Sequence, residues 1–313
     1  MPWLKKLVEP GENEPAISGF RDIQKPVPRP ARIQALVKTM SAIDDLFQRL
    51  RAAGRKAFVA FIPAGDPDLA FTAELLHRLS RAGISLCELG IPYSDPIADG
   101  PVIQAAYTRA LARGVRVADV LELAGRLSPQ LPYPLVFMTS YAVIFRRGSE
   151  AFVAECSRAG VAGLIVPDLP VEESGALLEI CRRFDLSLIQ LVTPTTPPER
   201  ALRIAAACTG FLYHVTVTGI TGEREQLPAE IRQKVAWLRQ HTDLPVCLGF
   251  GINRPDQVTA LAEVADGVIV GSAIARRIAE AHHRPREEVL EEIVEFVRSL
   301  VAALPPSTAT SRT

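Results

Sequence analysis

Short apolar runs recur along the chain and alternate with stretches whose apolar residues are spaced by three or four. The runs Phe58–Ile62, Ile84–Glu88, Pro134–Met138, Ala162–Val166, Leu186–Leu191, Gly210–Val215, Pro245–Leu248 and Asp266–Val270 read as strands. They are rich in Val, Ile and Leu, as expected of a parallel sheet buried on both faces. Between them, segments 69–82, 102–113, 117–128, 149–158, 172–184, 198–207, 228–240, 255–263 and 286–302 carry helical spacing, and Ala273–Arg277 reads as a short extra helix. One more helix precedes the first strand: the Ser41 side chain can cap the amides of Asp44 or Asp45, and Ile43, Leu46, Phe47 and Leu50 form its apolar stripe. Eight strands, each followed by a helical segment, predict an α/β fold, a (β/α)8 TIM barrel with an extra N-terminal helix. A doubly wound open sheet is the alternative. It calls for a Gly-rich nucleotide loop after the first strand, and Pro63-Ala-Gly65-Asp66-Pro67 contains neither G-x-G-x-x-G nor G-x-x-x-x-G-K.

Residues 1–39 break the pattern. Pro10, Pro15, Pro26, Pro28 and Pro30 sit among charges and small residues with no sustained period, which reads as an extended or disordered arm. A solvated tail is the simple reading, and a strap on the barrel or on a partner is the functional one. The barrel is expected over 40–304, with a loose polar tail at 305–313.

Composition narrows the function. The 35 basic residues balance 35 acidic ones, so no polyanion-binding surface and no nucleic-acid partner is expected. Cys87, Cys156, Cys181, Cys208 and Cys247 lack metal or redox spacing and are odd in number, which fits buried thiols in a reducing compartment, the cytoplasm. No apolar run is long enough to span a bilayer, and Lys5, Lys6, Glu9, Glu12 and Glu14 interrupt any signal core, so no membrane partner is expected.

The richest stretch is 84–101. An apolar run ends in Glu88, and the following loop, broken by Gly90, Pro92, Pro96, Gly100 and Pro101, carries Asp95 and Asp99. A buried acid on rigid backbone with a second acid on a loop suits proton chemistry on a small molecule. A salt-bridged strand end followed by Asx turns accounts for the same residues equally well. In such barrels the active site lies at the carboxyl ends of the strands. That collects Phe61, Glu88, Asp99, Asp168, Tyr213, Thr221, Phe250, Gly251, Gly271 and Ser272. By alternation, Glu88 shares the inward face with Ile84 and Leu86, and Tyr213 points in while His214 points out. Gly249-Phe250-Gly251 after the seventh strand, Gly271-Ser272 opening a helix after the eighth, and Thr221-Gly222 offer bare amides and a hydroxyl to an anion, better read as a phosphate site than as tight turns alone. No lysine falls at a strand end to form a Schiff base, and the histidines do not converge on a metal. What remains is acid–base catalysis, without metal or cofactor, on a phosphorylated substrate whose other end is flat and apolar, to match Phe61, Tyr213 and Phe250.

The stretch Glu88-Leu-Gly-Ile-Pro-Tyr-Ser-Asp-Pro-Ile-Ala-Asp99-Gly-Pro resembles the signature of the tryptophan synthase alpha chain family. The likeness runs from 40 to about 300 through Ala64–Pro67, Gly163–Glu173, Thr193–Thr195, Gly219–Gly222, Gly249–Ile252 and Gly271–Ile274. The resemblance implies retro-aldol cleavage of indole-3-glycerol phosphate to indole and glyceraldehyde 3-phosphate, in tryptophan biosynthesis. It implies Glu88 as general acid–base, Asp99 on the indole N–H, Tyr213 by the reacting centre, and Gly222, Gly251, Gly271 and Ser272 on the phosphate. It also implies a beta-chain partner in an alpha2beta2 heterotetramer, with mobile loops around Asp95–Asp99 and Val217–Gly222. Val217 stands where the family commonly has Arg, and Ala142 where it has Asn. The alternative is a weakly catalytic alpha-like subunit that binds a phosphorylated ligand and activates a beta chain.

Overall fold

The computed structural model describes residues 41–215, 229–249 and 251–306. The expected arm at 1–39, the positions Val217, Thr221, Gly222 and Phe250, and the tail beyond Pro306 lie outside the described residues. The strands are β1 Ala57–Pro63, β2 Leu86–Gly90, β3 Leu135–Met138, β4 Val161–Ile165, β5 Ser187–Ile189, β6 Leu191–Val192, β7 Leu212–Val215, β8 Val246–Gly249 and β9 Gly267–Val270. The helices are α1 Ala42–Ala52, α2 Leu69–Leu79, α3 Pro101–Ala112, α4 Val117–Leu127, α5 Tyr141–Arg147, α6 Ser149–Arg158, α7 Gly175–Arg183, α8 Pro198–Ala206, α9 Ala229–His241, α10 Pro255–Ala262, α11 Ser272–Glu280 and α12 Arg286–Ala302.

All pairings are parallel, in the order β5-β4-β3-β2-β1-β9-β8-β7-β6. The sequence predicts one strand over 186–191 where the structure has two segments, β5 and β6, separated by Gln190. The reason is a change of partner. β5 pairs with β4 and β6 with β7, while the Gln190 amide donates to Cys208 Sγ at 3.3 Å and its carbonyl accepts from Tyr213 N at 3.0 Å. The two segments act as one stave, so the nine strands close the predicted eight-stave barrel.

Alternation sorts the side chains into two layers. Phe58, Ala60, Ile62, Cys87 and Leu89 face the helices, whereas Val59, Phe61, Leu86, Val136 and Ile269 fill the barrel. Ile84 is a correction to the predicted inward set: β2 begins only at Leu86, and Ile84 packs in the outer layer. α1 closes the amino-terminal end. Its Ile43, Leu46, Phe47 and Leu50 join the inner layer, at about 1.5–3 kcal/mol for each side chain fully buried. The Phe47 and Phe211 rings meet at 5.7 Å. The Ser41 cap forms as expected: Ser41 Oγ accepts from Asp44 N, and Asp44 Oδ2 accepts from Ser41 N, both at 3.2 Å. α1 then stops at Gly54, whose φ of +61° suits glycine, and α7 stops the same way at Asp185, with φ of +56°.

Two further differences concern helices. Segment 140–145, to which the sequence assigns no element, opens α5, capped by Ser140 and by the Asp168 carboxylate. α2 ends at Leu79 rather than 82, and Ser80–Ala82 continue as turns. The five cysteines are buried free thiols. Among the described residues no helix is long and apolar enough to cross a membrane.

Candidate active site

β2 carries Glu88 on the barrel's inner wall, in register with Phe61 on β1 and Val136 on β3. Its side chain is fully buried, and neither carboxyl oxygen has a hydrogen-bond partner among the described residues. The loss of hydration is not offset by any opposite charge, so burial pushes the carboxyl up to about 8. At neutral pH the group therefore rests as the acid, able to give a proton.

Asp99 ends the loop after β2, just before the Gly100 cap of α3. Gln104 Nε2 donates to the Asp99 carbonyl at 2.8 Å and to the Pro96 carbonyl at 3.2 Å, which pins the loop end to the helix. The Asp99 carboxylate accepts at Oδ2 from Tyr93 Oη at 2.8 Å, and no hydrogen bond among the described residues engages Oδ1. Burial raises its carboxyl, the Tyr93 hydrogen bond opposes this, and the neighbouring Asp168 charge raises it further.

Tyr213 faces into the barrel from β7, as predicted, and His214 faces out. The Tyr213 hydroxyl is pushed up by burial and then by the charges of Glu88 and Asp99, so it stands within electrostatic reach of both acids. Gly249 makes room for it: a Cβ there would lie 2.5 Å from Tyr213 Oη. His214 is buried, and burial followed by the Lys234 charge lowers it to about 4, leaving a neutral ring behind the wall. Lys234 reaches from α9 to the loop after β6 and donates to the carbonyls of Thr193, Pro194 and Thr196 at 2.7, 2.6 and 2.6 Å. Its three N–H bonds are thereby committed, so this lysine is a loop anchor.

Phe61, on the stave between them, joins the acid to the start of α11. Its ring adjoins Gly271, where a Cβ would come within 3.3 Å of it. Gly271 is the N-cap of α11 and Ser272 its first residue. The first amides of a helix have no partner within it and attract anions. Gly251 is exposed just past β8. Asp168, by contrast, is exposed, and its carboxylate accepts from Ser140 Oγ at 2.5 Å and Tyr141 N at 2.8 Å at the start of α5. It lines a cleft of about 370 Å³ with Gln190, Leu191, Thr196 and Arg200.

Two residues that sequence reasoning passed over belong to this wall. Tyr93 bonds Asp99, and Tyr107 on α3 is fully buried with its hydroxyl unpartnered among the described residues. Tyr107 belongs to a helical stripe with Ile103, Ala106 and Ala110, which in a sequence is indistinguishable from core packing.

Comparison with known proteins agrees with this geometry. The family model described as tryptophan synthase alpha chain matches residues 47–304. The tryptophan synthase alpha chain of Rhodopirellula baltica is 47% identical over 275 residues, covering 85% of this chain and 99% of the relative. The crystal structure of tryptophan synthase subunit alpha from Legionella pneumophila superposes with a TM-score of 0.78 at 33% identity, covering 85% of this chain and 98% of that one. A chain of the aminoacrylate-bound tryptophan synthase from M. tuberculosis gives 0.75 at 31% identity, covering 85% and 100%. With a barrel whose inner acid, loop acid and glycine-capped helix share one end, and with relatives matched over almost their whole length, the chain belongs to the tryptophan synthase alpha chain family.

Proposed function

We propose that the chain cleaves indole-3-glycerol phosphate with Glu88 as the proton carrier and Asp99 as the anchor of the indole nitrogen. The protonated Glu88 carboxyl delivers its proton to the ring carbon that bears the glycerol chain. The ring becomes an iminium cation, and Asp99, accepting the indole N–H at Oδ1, favours that charge where it forms. The Glu88 carboxylate then takes the proton of the adjacent glycerol hydroxyl. The carbon–carbon bond breaks, its electrons return to the ring to give indole, and the oxygen becomes the aldehyde of glyceraldehyde 3-phosphate. Glu88 ends protonated, as it began. Gly251, Gly271 and Ser272 hold the phosphate at the start of α11, and Phe61 and Tyr213 flank the ring. Asp168 acts from outside the ring pocket by setting the α5 end of the rim. Thr221, Gly222 and Phe250 complete the set.

The observation that carries this reading is a carboxylic acid kept neutral in an apolar barrel, with both oxygens unpartnered among the described residues. The purified chain is expected to release indole from indole-3-glycerol phosphate, and Glu88→Gln to lose at least about 100-fold in turnover, the usual weight of general acid–base catalysis. Absence of indole, with or without a beta chain, overturns the proposal.

The partner follows from the same end of the barrel. Ile97, in the loop after β2, and Phe145, on α5 after β3, are large apolar side chains at 88% and 71% exposure. They stand on neighbouring staves and suit a beta chain as the second component of an alpha2beta2 assembly. The chain then works in the cytoplasm, a reducing compartment that suits its five buried free thiols.

A further inference from the structure

We propose that the Tyr107 hydroxyl is the hydrogen-bond donor that holds the Glu88 carboxylate once Glu88 has given up its proton, an inference that rests on the lyase reading. Tyr107 is then a positioning residue that acts through Glu88.

The placement carries the argument. Tyr107 Oη lies 2.4 Å from where a Cβ on Gly90 would sit. Gly90 follows Glu88 by two residues on β2, so the hydroxyl lies over the same inner wall, about 6.6 Å further along the strand. An extended glutamate side chain reaches about 5 Å from its Cα, and a hydrogen bond of about 2.7 Å from its tip covers the rest of that distance. Only a glycine at 90 permits it, because a side chain there would meet both the hydroxyl and the Phe61 ring.

The other tyrosine hydroxyls at this end of the barrel are committed or stand on another wall. The barrel below Glu88 is lined by Leu86, Val136, Phe211 and the α1 residues Ile43 and Phe47, none of which can donate. The Tyr93 hydroxyl is held by Asp99. Tyr213 stands on β7, four staves from β2, so that although the Glu88 charge reaches its hydroxyl the two side chains come from opposite walls of the barrel. Tyr107 and Glu88 thus bring unpartnered polar atoms to one wall: Oη of the tyrosine and both carboxyl oxygens. A neutral carboxyl tolerates this arrangement, while the carboxylate formed in the reaction gains a charge-assisted bond from a hydroxyl that burial keeps protonated.

Tyr107 is also held in place. It sits two turns into α3, the helix that begins just after Asp99, and its ring packs against Tyr93 at 5.4 Å. The same helix therefore ties the donor for one acid to the loop that carries the other.

Tyr107→Phe keeps the ring and its packing and removes only the oxygen. The Glu88 carboxyl is titrated by carbon-13 NMR in the full chain without substrate, its signal assigned by its loss in Glu88→Gln. The midpoint is expected to rise by about one pH unit in Tyr107→Phe, because the charged form loses its donor. In turnover, the pH-dependent limb of kcat moves the same way, kcat at neutral pH falls about tenfold, and KM stays within about twofold. A midpoint and limb equal to those of the unaltered chain overturn the inference. If the chain releases no indole, the lyase reading fails while the titration still decides this contact. If the variant does not fold, the unaltered chain with labelled tyrosine rings decides it. The Tyr107 ring carbon must then follow the Glu88 midpoint, and a flat trace overturns the inference.

Discussion

From about pH 4.5 to about 8 the Glu88 carboxyl is protonated in the folded chain but ionised in an unfolded one. The unfolded state binds fewer protons over that window, so this residue's contribution is intact below pH 4.5 and lost as pH rises through about 8. The full loss is about 5 kcal/mol, the linkage value of such a shift for a group with no exposure. Glu88→Gln cannot ionise. It is expected to match the unaltered chain in urea stability near pH 4 and to exceed it by several kcal/mol near pH 9, while losing turnover. Equal stability at both pH values would show that the carboxyl is not held neutral. The acid that the proposed reaction needs is thus one that the fold keeps at a thermodynamic cost.

Asp66 is a second buried carboxylate, and its part is to join elements. It sits in the turn after β1 with its side chain fully buried. Arg109 of α3 donates to it through Nε at 3.0 Å and Nη2 at 2.6 Å, and His282, past the end of α11, meets Oδ1 at 2.7 Å. α3 begins beside Asp99 and α11 begins at Gly271, so one carboxylate ties together the two helices whose first turns face the site. Asp66→Ala leaves Arg109 without its bidentate partner and is expected to cost about 3–5 kcal/mol. That is read as a lower urea midpoint with an unchanged slope. A cost below about 1 kcal/mol would mean that packing alone sets the two helices. Asp66 appears in the sequence only as part of a Gly-Asp-Pro turn, because both its partners lie far along the chain.

At the scale of the whole barrel, the parallel strands gather their carboxyl ends, with Asp99 and Gly271 beyond them, at one end, and α1 seals the other. The exposed Ile97 and Phe145 lie at the functional end, so a beta chain docking there would meet the loop that carries Asp99. Replacing both with Ser is expected to weaken binding to a beta chain at least about tenfold in a titration followed by calorimetry. The melting temperature should stay the same, since neither side chain is buried. Unchanged affinity would place the contact elsewhere. The eight staves were legible from spacing, and the faces of Leu86, Glu88, Tyr213 and His214, though not of Ile84, from alternation, because a side chain on a strand has only two faces to choose between. The position of α5 was not, because Ser140 to Phe145 holds too few residues to display a helical period.

The sequence by itself determined the strand–helix alternation, the extra N-terminal helix with its Ser41 cap, and the presence of Glu88 and Asp99 at strand and loop ends. Each of these is written in local spacing and side-chain chemistry. Tertiary structure alone decided that Glu88 has no hydrogen-bond partner among the described residues, that Tyr107 turns its hydroxyl onto the Glu88 wall, that Asp66 binds α3 to the end of α11, and that one stave breaks at Gln190 to change neighbours. Those outcomes depend on which distant residues are brought within a few ångströms of each other. That is a property of the closed sheet and its packed helices, and no local pattern encodes it.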